Sequence, residues 1–261
     1  MSVLISEIID AVNGFAPLGL QESWDNSGVQ VGQVDAVCTG ALLCVDVTPG
    51  VVREAVERGC NLIISHHPLI FKGVRQICPG DNVVQTAIWT AIRSGITVFS
   101  SHTALDSAAL GISRRMASML GLEPLGPLVP GADPATGLGC IAVAEKPLTA
   151  GEFVGRVKAA FGSPVVRCSR PEATVRRVGL CGGSGGEFIP RAIEAGCDAY
   201  LTSDVRYHDF VDFGKRIFIA DIGHFESEEC SKQIFYDIIS EKFPNFALYK
   251  SLTEFNPINY L

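Results

Sequence analysis

Histidine is scarce in this 261-residue chain, which has five copies, and no two cysteines stand in a Cys-x-x-Cys pair. The nine cysteines fall singly at 38, 44, 60, 78, 140, 168, 181, 197 and 230. An odd number without ligand spacing excludes a zinc knuckle and gives no disulfide framework, so reduced thiols serving as small core residues are expected. No apolar run approaches the roughly 20 residues of a bilayer-spanning helix, and the start Met1-Ser-Val-Leu-Ile-Ser-Glu7 lacks the basic opening of a signal peptide. A soluble, cytoplasmic protein without a membrane part is therefore expected. Basic surplus is also missing: 21 Lys and Arg face 28 Asp and Glu, a formal net charge of −7. No basic stripe is left to follow a phosphate backbone, which argues against nucleic-acid binding but leaves a single nucleotide open as a ligand.

The 47% of hydrophobic residues suffices for one large core or two modest ones. The chain is organised around Asn61-Leu-Ile-Ile-Ser-His-His-Pro68, an apolar, partly β-branched run that ends in two adjacent histidines and a proline. Periodicity predicts helices over 3–13, 50–58, 81–94, 109–120, 150–161, 188–195 and 229–242, with Asp81 as the cap of the third. Strands are predicted near 40–46, 61–65, 96–99, 139–144, 165–168, 175–181, 198–202, 217–220 and 246–250. This alternation predicts an α/β protein of two related lobes with mixed, largely parallel sheets. The Pro- and Gly-rich stretch 121–137 is the expected boundary, giving one lobe from 1–125 with 221–261 and another from 126–220. An echo at a spacing of 137 residues supports relatedness: Leu43-Cys44 matches Leu180-Cys181, and Glu57 to His66 aligns with Glu194 to Ser203. Two β-α-β segments can also share such features by chance.

Histidine and carboxylate clusters follow the apolar strands, and a donor set without cysteine suits Zn²⁺, Mn²⁺, Fe²⁺, Co²⁺ or Ni²⁺. Adjacent residues on an extended chain point apart, so His66 and His67 are expected to serve two different ions about 3.5–4 Å apart. His224 and Glu228, four residues apart, share one face of a helical turn, and Asp106 would complete the set. His102 and His208 are candidates for proton transfer or for supporting a ligand, against a purely structural role. Asp25 either accepts from a ligand histidine or substrate, or merely builds a turn. The stretch Gly182-Gly-Ser-Gly-Gly186 reads as a tight turn or as an anion cradle, without the Lys-Ser/Thr of a P-loop. Lys72 and Arg206 are candidate phosphate contacts, and Asp46 is a further strand-end carboxylate.

The motifs Ile64-Ser-His-His-Pro-Leu-Ile-Phe-Lys-Gly73, Ser101-His-Thr-Ala-Leu-Asp106, Cys181-Gly-Gly-Ser-Gly-Gly186 and Gly223-His-Phe-Glu-Ser-Glu228 stand here in the order found in the Nif-three-like family. Trp24-Asp-Asn-Ser-Gly28 and Ser203-Asp-Val-Arg-Tyr-His208 fit the same pattern, so the resemblance spans about residues 3 to 261. Members of that family carry the name GTP cyclohydrolase 1 type 2 homologue. The resemblance implies a dinuclear metal site in a cleft between the lobes, with His66, His67, Asp106, His224 and Glu228 as ligands and Glu228 bridging. It also implies a homohexameric ring with the sites facing an internal cavity. The domain that some members insert between the two halves has no room in this chain. The function so implied is a metal-dependent hydrolase of a small nucleotide-like substrate. A non-catalytic, metal-binding ring protein with a regulatory or scaffolding role is the alternative.

Overall fold

The computed structural model describes residues 2–261. The chain forms two compact units, one of residues up to Leu105 with Ser231–Phe255, the other of Asp106–Cys230 with Asn256–Leu261.

In the first unit the strands Gly28–Val31, Thr97–Ser100, Leu62–Ser65, Ala41–Cys44 and Leu248–Lys250 lie side by side in that order. All pairings are parallel except that of the first strand, which runs antiparallel to Thr97–Ser100. Every residue of the three central strands is buried, as apolar strands covered on both faces require. Leu42, Ile63 and Val98 pack with Val51 and Ile88 from the helices Pro49–Glu57 and Val83–Arg93. The first of these helices begins as its sequence dictates, with Pro49 in the first turn and Thr48 Oγ1 accepting from the Val51 N–H. The second is capped by Asn82, whose Oδ1 accepts from the Gln85 N–H, and not by the expected Asp81.

The second unit holds a six-stranded sheet in the order Glu123–Gly126, Cys140–Thr149, Thr174–Ser184, Ala199–Ser203, Phe218–Asp221, Arg167–Cys168. Here only the pairings of Ala199–Ser203 with its two neighbours are parallel; the other three are antiparallel. The expected parallel majority thus holds in one sheet and not in the other. The reason lies partly in 121–137, which is no linker. It forms the edge strand Glu123–Gly126, which pairs antiparallel with Cys140–Thr149, and a small ribbon of Val129–Pro130 with Gly137–Leu138. The contacts divide the chain at 105/106 and 230/231, where the sequence suggests 125/126 and 220/221. Helices Ile112–Met119 and His224–Glu228 pack on Thr174–Ser184, which draws both into the second unit.

The echo at 137 residues reappears in the strand registers. Leu43 is paired with Ile64 in the first sheet, and Leu180 with Leu201 in the second; Ala41 with Leu62 corresponds likewise to Val178 with Ala199. The strand Gly28–Val31 and the short helices Thr103–Ser107 and Tyr207–Phe213 carry no periodicity that predicts them. The apolar stripe of the helix Cys230–Lys242 is buried within its own chain at Ile234, Phe235 and Ile239. No helix of the described residues is long and apolar enough to cross a membrane.

Candidate metal centre

Strand Leu62–Ser65 delivers the histidine pair. Backbone bonds continue past its end, from the His66 N–H to the Cys44 carbonyl (3.1 Å) and from the His67 N–H to the Val45 carbonyl (2.9 Å). The chain bends at these two residues, so the alternation of an extended strand does not apply and the rings do not diverge: their centroids are 5.0 Å apart. His102, just after the neighbouring strand, joins them, with ring centroids 5.2 Å from His66 and 5.5 Å from His67. One ring nitrogen of each lies within 4.8 Å of the others, a group that can hold a metal ion.

The Nδ1 atoms of all three face protein acceptors. Those of His66, His67 and His102 meet the Ser101 carbonyl (3.1 Å), Asp46 Oδ1 (2.9 Å) and Asp25 Oδ1 (2.8 Å). Such acceptors hold the proton on Nδ1 and make Nε2 the basic nitrogen, which is how proteins prepare histidine for a metal. Asp25 is the most strongly held of the supporting groups. Its fully buried carboxylate also accepts from Ser27 Oγ (2.9 Å), Thr103 Oγ1 (2.6 Å) and the Thr103 N–H (3.1 Å). Burial alone would raise its pKa, but the bonds from His102, Thr103 and Ser27 outweigh burial and hold the carboxyl well below the usual range. Of its two readings, acceptor or plain turn, it fulfils both.

The second unit repeats the arrangement. Gly223, at φ 94°, turns the chain from strand Phe218–Asp221 into the short helix His224–Glu228. His224 Nδ1 meets Asp204 Oδ2 at 2.6 Å, and its Nε2 lies 3.0 Å from Oε2 of the buried Glu228. Asp106 shares this neighbourhood: after burial itself, Asp106 and Glu228 are the charges that most raise the Cys181 thiol, and both also act on Cys230, pushed up to about 12. All nine cysteines are free, and the buried ones have raised pKa values wherever a shift is resolved, so none of those is poised as a thiolate donor at neutral pH.

The glycine stretch works differently from either reading. Strand Thr174–Ser184 runs through it, and its N–H groups are taken by side-chain hydroxyls, Gly183 by Ser227 (2.9 Å) and Gly185 by Thr202 (3.0 Å). A Cβ on Gly183, which has a φ of +62°, would lie 2.1 Å from Glu228 Oε1. The glycine thus makes room for the carboxylate and is not an anion cradle.

His208 stands exposed on the helix Tyr207–Phe213, its ring 5.4 Å from that of Tyr207, and belongs to neither group. Arg206 is engaged by Asp209 (2.9 and 3.0 Å) at the start of that helix, which accounts for its charge without a phosphate. Asp46 and Asp204, the partners of His67 and His224, are the residues that sequence reasoning left without a role. For Asp204 the signal is structural, a non-glycine residue at φ 55° just after a strand.

The sequence profile of the Duf34/NIF3 (NGG1p interacting factor 3) family matches residues 3–257. A "GTP cyclohydrolase 1 type 2 homolog" of Clostridium acetobutylicum is 32% identical over 232 residues, covering 87% of this chain and 86% of that protein. One from Lactococcus lactis is 30% identical over 265 residues, covering 97% and 98%. Among solved structures, a hypothetical protein of Staphylococcus aureus superposes with a TM-score of 0.92 at 26% identity, covering 100% of both chains. A Bacillus cereus protein related to NIF3 shares the fold with a TM-score of 0.88 at 21% identity, again over 100% of both chains. The chain therefore belongs to the Duf34/NIF3 family.

Proposed function

We propose that the chain is a dinuclear, divalent-metal-dependent hydrolase acting on a small nucleotide-like substrate, and that it works as a cytoplasmic homohexamer. His66, His67, Asp106, His224 and Glu228 would hold the ions in this reading, with His102 as a further donor. The observation that carries it is the arrangement of acceptors at the four histidines: each Nδ1 lies within hydrogen-bond distance of a carboxylate or a carbonyl, which directs Nε2 of each towards a metal in this reading. Four histidines prepared alike would be a wasteful way to build a core. Divalent ions held there would polarise the bond under attack and acidify a water.

The protein's own groups carry the remaining tasks. Asp25 keeps the His102 ring in one orientation and fixes its Nδ1 proton, and Asp46 and Asp204 do the same for His67 and His224. The names of the relatives favour a nucleotide over other hydrolysable substrates. His208 lies on an exposed surface and is reserved in this reading for contact with substrate or with another subunit.

Elemental analysis of the purified protein should find two divalent ions per chain. A substrate screen with and without chelator should then show turnover of small nucleotides only in the metal-loaded protein, with light scattering giving six copies. A metal-loaded ring that turns over nothing would favour the alternative, a regulatory or scaffolding ring; a monomer with stoichiometric metal removes the assembly and leaves the chemistry.

A further inference from the structure

The histidine group has an aromatic rim that its metal chemistry does not require. Trp24 and Phe71 are 59% and 49% exposed, and meet edge to face with ring centroids 6.0 Å apart. Each also stands against His102, at 6.0 and 6.1 Å. Hydrogen bonds fix this pairing: Asn26 Nδ2 donates to the Ile70 carbonyl (2.7 Å), and the Ile70 N–H donates to Gln30 Oε1 (3.1 Å). The segments that carry the two rings are thereby tied together, although Phe71 lies 47 positions after Trp24. Large rings held half in water beside a polar group are the usual shape of a stacking platform.

Phe71 also belongs to a second feature. It lines a pocket of 590 Å³ together with Lys72, Arg75, Asn82 and Gln85, a size within the range of about 300–1,000 Å³ that small-molecule sites occupy. Residues 66–82, which supply most of this wall, connect strand Leu62–Ser65 to helix Val83–Arg93 without helix or strand of their own. Connections beyond about 12–15 residues are uncommon in compact units and usually serve a function. Among the described residues neither Lys72 nor Arg75 is in an ion pair, although the chain as a whole is acidic. A lysine and an arginine without carboxylate partners, at the wall of a pocket that Phe71 also lines, suit a phosphate group.

We propose that a planar heteroaromatic ring stacks on one ring of the edge-to-face Trp24–Phe71 pair and meets the other at its edge, while Lys72 and Arg75 hold the phosphate attached to it, so that the histidine group faces a phosphorylated heterocycle. This rests on the reading of the site as one for a small nucleotide-like substrate, and names the side chains that would select it. The two recognition elements are additive: the ring pair contributes stacking to any flat base, and the cations discriminate the phosphorylated form from the free nucleoside.

The test uses the Trp89→Phe protein, in which Trp24 is the remaining tryptophan. Metal-loaded protein is titrated with GMP, guanosine, ribose 5-phosphate and inorganic phosphate. GMP should quench Trp24 and bind at least tenfold more tightly than any of the other three. Calorimetry on Trp24→Ala, and separately on the double variant Lys72→Gln with Arg75→Gln, should show GMP binding weakened at least tenfold. The double variant should bind guanosine as the parent does. Unchanged GMP affinity in both variants overturns the proposal, and so does a change of assembly size in Trp24→Ala, which would assign the ring pair to a contact between copies of the chain. Metal content measured in parallel separates this result from the proposed function: full metal with no loss of GMP affinity removes the subsite alone. A metal-free parent that still shows the losses keeps the subsite and removes the metal reading.

Discussion

Gly183→Ala probes the second donor group without touching a donor. The backbone there has a φ of +62°, which costs a residue with a Cβ roughly 1–2 kcal/mol. The new methyl would lie 2.1 Å from Glu228 Oε1, 3.1 Å from Glu228 Cδ and 3.3 Å from His224 Nε2. Ordinary contact needs about 3.5 Å, so the carboxylate oxygen must retreat by more than about 1 Å. The Glu228 side chain is 4% exposed and has little room to do so. Metal–ligand distances tolerate only about ±0.2 Å, so a displacement several times larger should weaken metal binding by tenfold or more. The backbone strain should lower the melting temperature by about 2–8 °C, taking roughly 2–4 °C per kcal/mol for a chain of this size. Gly155→Ala is the matched control: it sits inside helix Ala150–Phe161, its Cβ would meet nothing within 4 Å, and about 0.8–1 kcal/mol of stabilisation with unchanged metal is expected. Titration of the chelated proteins with Zn²⁺ and elemental analysis read the outcome. A Gly183→Ala protein that binds metal as the parent does would refute the placement of Glu228 as a ligand shaped by this glycine.

Asp25→Asn replaces the carboxylate that holds His102 Nδ1 by an amide that can present an N–H in its place. A fall of about 10–100-fold in metal affinity is expected, measured by competition with a chromogenic chelator, and wild-type affinity would reduce Asp25 to a turn residue. His67→Ala and Glu228→Ala should each empty the centre more thoroughly than His208→Ala, by elemental analysis; equal losses would contradict the placement of His208 outside both groups. Glu54 tests stability apart from function. Burial alone would raise its pKa, but bonds from Ser251, Leu252 and Thr253 bring it down from 4.5 to about 2. With the folded value below the unfolded one, the stabilisation is complete above pH 4.5 and is lost as pH falls towards 2; its ceiling is about 3 kcal/mol. Urea unfolding of Glu54→Gln should show a loss of about 2–3 kcal/mol at pH 7 and a flatter acid limb, and an unchanged acid limb would assign the loss to packing.

What the sequence disclosed follows from the range of the physics. The central strands were legible because strands covered on both faces must be continuous apolar runs, as Leu62-Ile-Ile and Phe218-Ile-Ala are. The histidines were legible as donors because their residue type limits what they can do. Their supports were less so: Asp25 was legible only as one of two alternatives, and Asp46 and Asp204 lie 21 and 20 positions from the rings they orient, where a lone aspartate carries no local mark. The glycine stretch misled for a related reason. Its composition advertises backbone freedom, which is correct at Gly183, but the need for that freedom comes from Glu228, 45 positions further on, and not from a phosphate.

The register identity between the two sheets bears on how such a centre could be built. The spacing of 137 residues aligns His66 and His67 with Ser203 and Asp204 at the ends of the middle strands of two parallel triplets, although the register of the second sheet shifts between Leu180 and Ser184. In the first unit these strand-end positions carry ring nitrogens. In the second, Asp204 carries a carboxylate that orients a ring from the next strand end, His224. The same backbone frame thus presents donors at one set of strand ends and the support of a donor at the other. A parallel triplet opens its strand ends on one side only, which concentrates whatever chemistry the loops carry. If the two halves descend from one unit, exchanging the pair would test how far they remain equivalent. Placing histidine at 203 and 204 should create a second ring-nitrogen pair at the end of Ala199–Ser203, detectable as additional Co²⁺ bound with nitrogen-ligand absorption. The same substitution removes the partner of His224 Nδ1, so the native metal content of the second group should fall at the same time. Added Co²⁺ without that loss would show that Asp204 does not support His224, and loss without added Co²⁺ would show that the matching registers do not extend to the geometry of the strand ends.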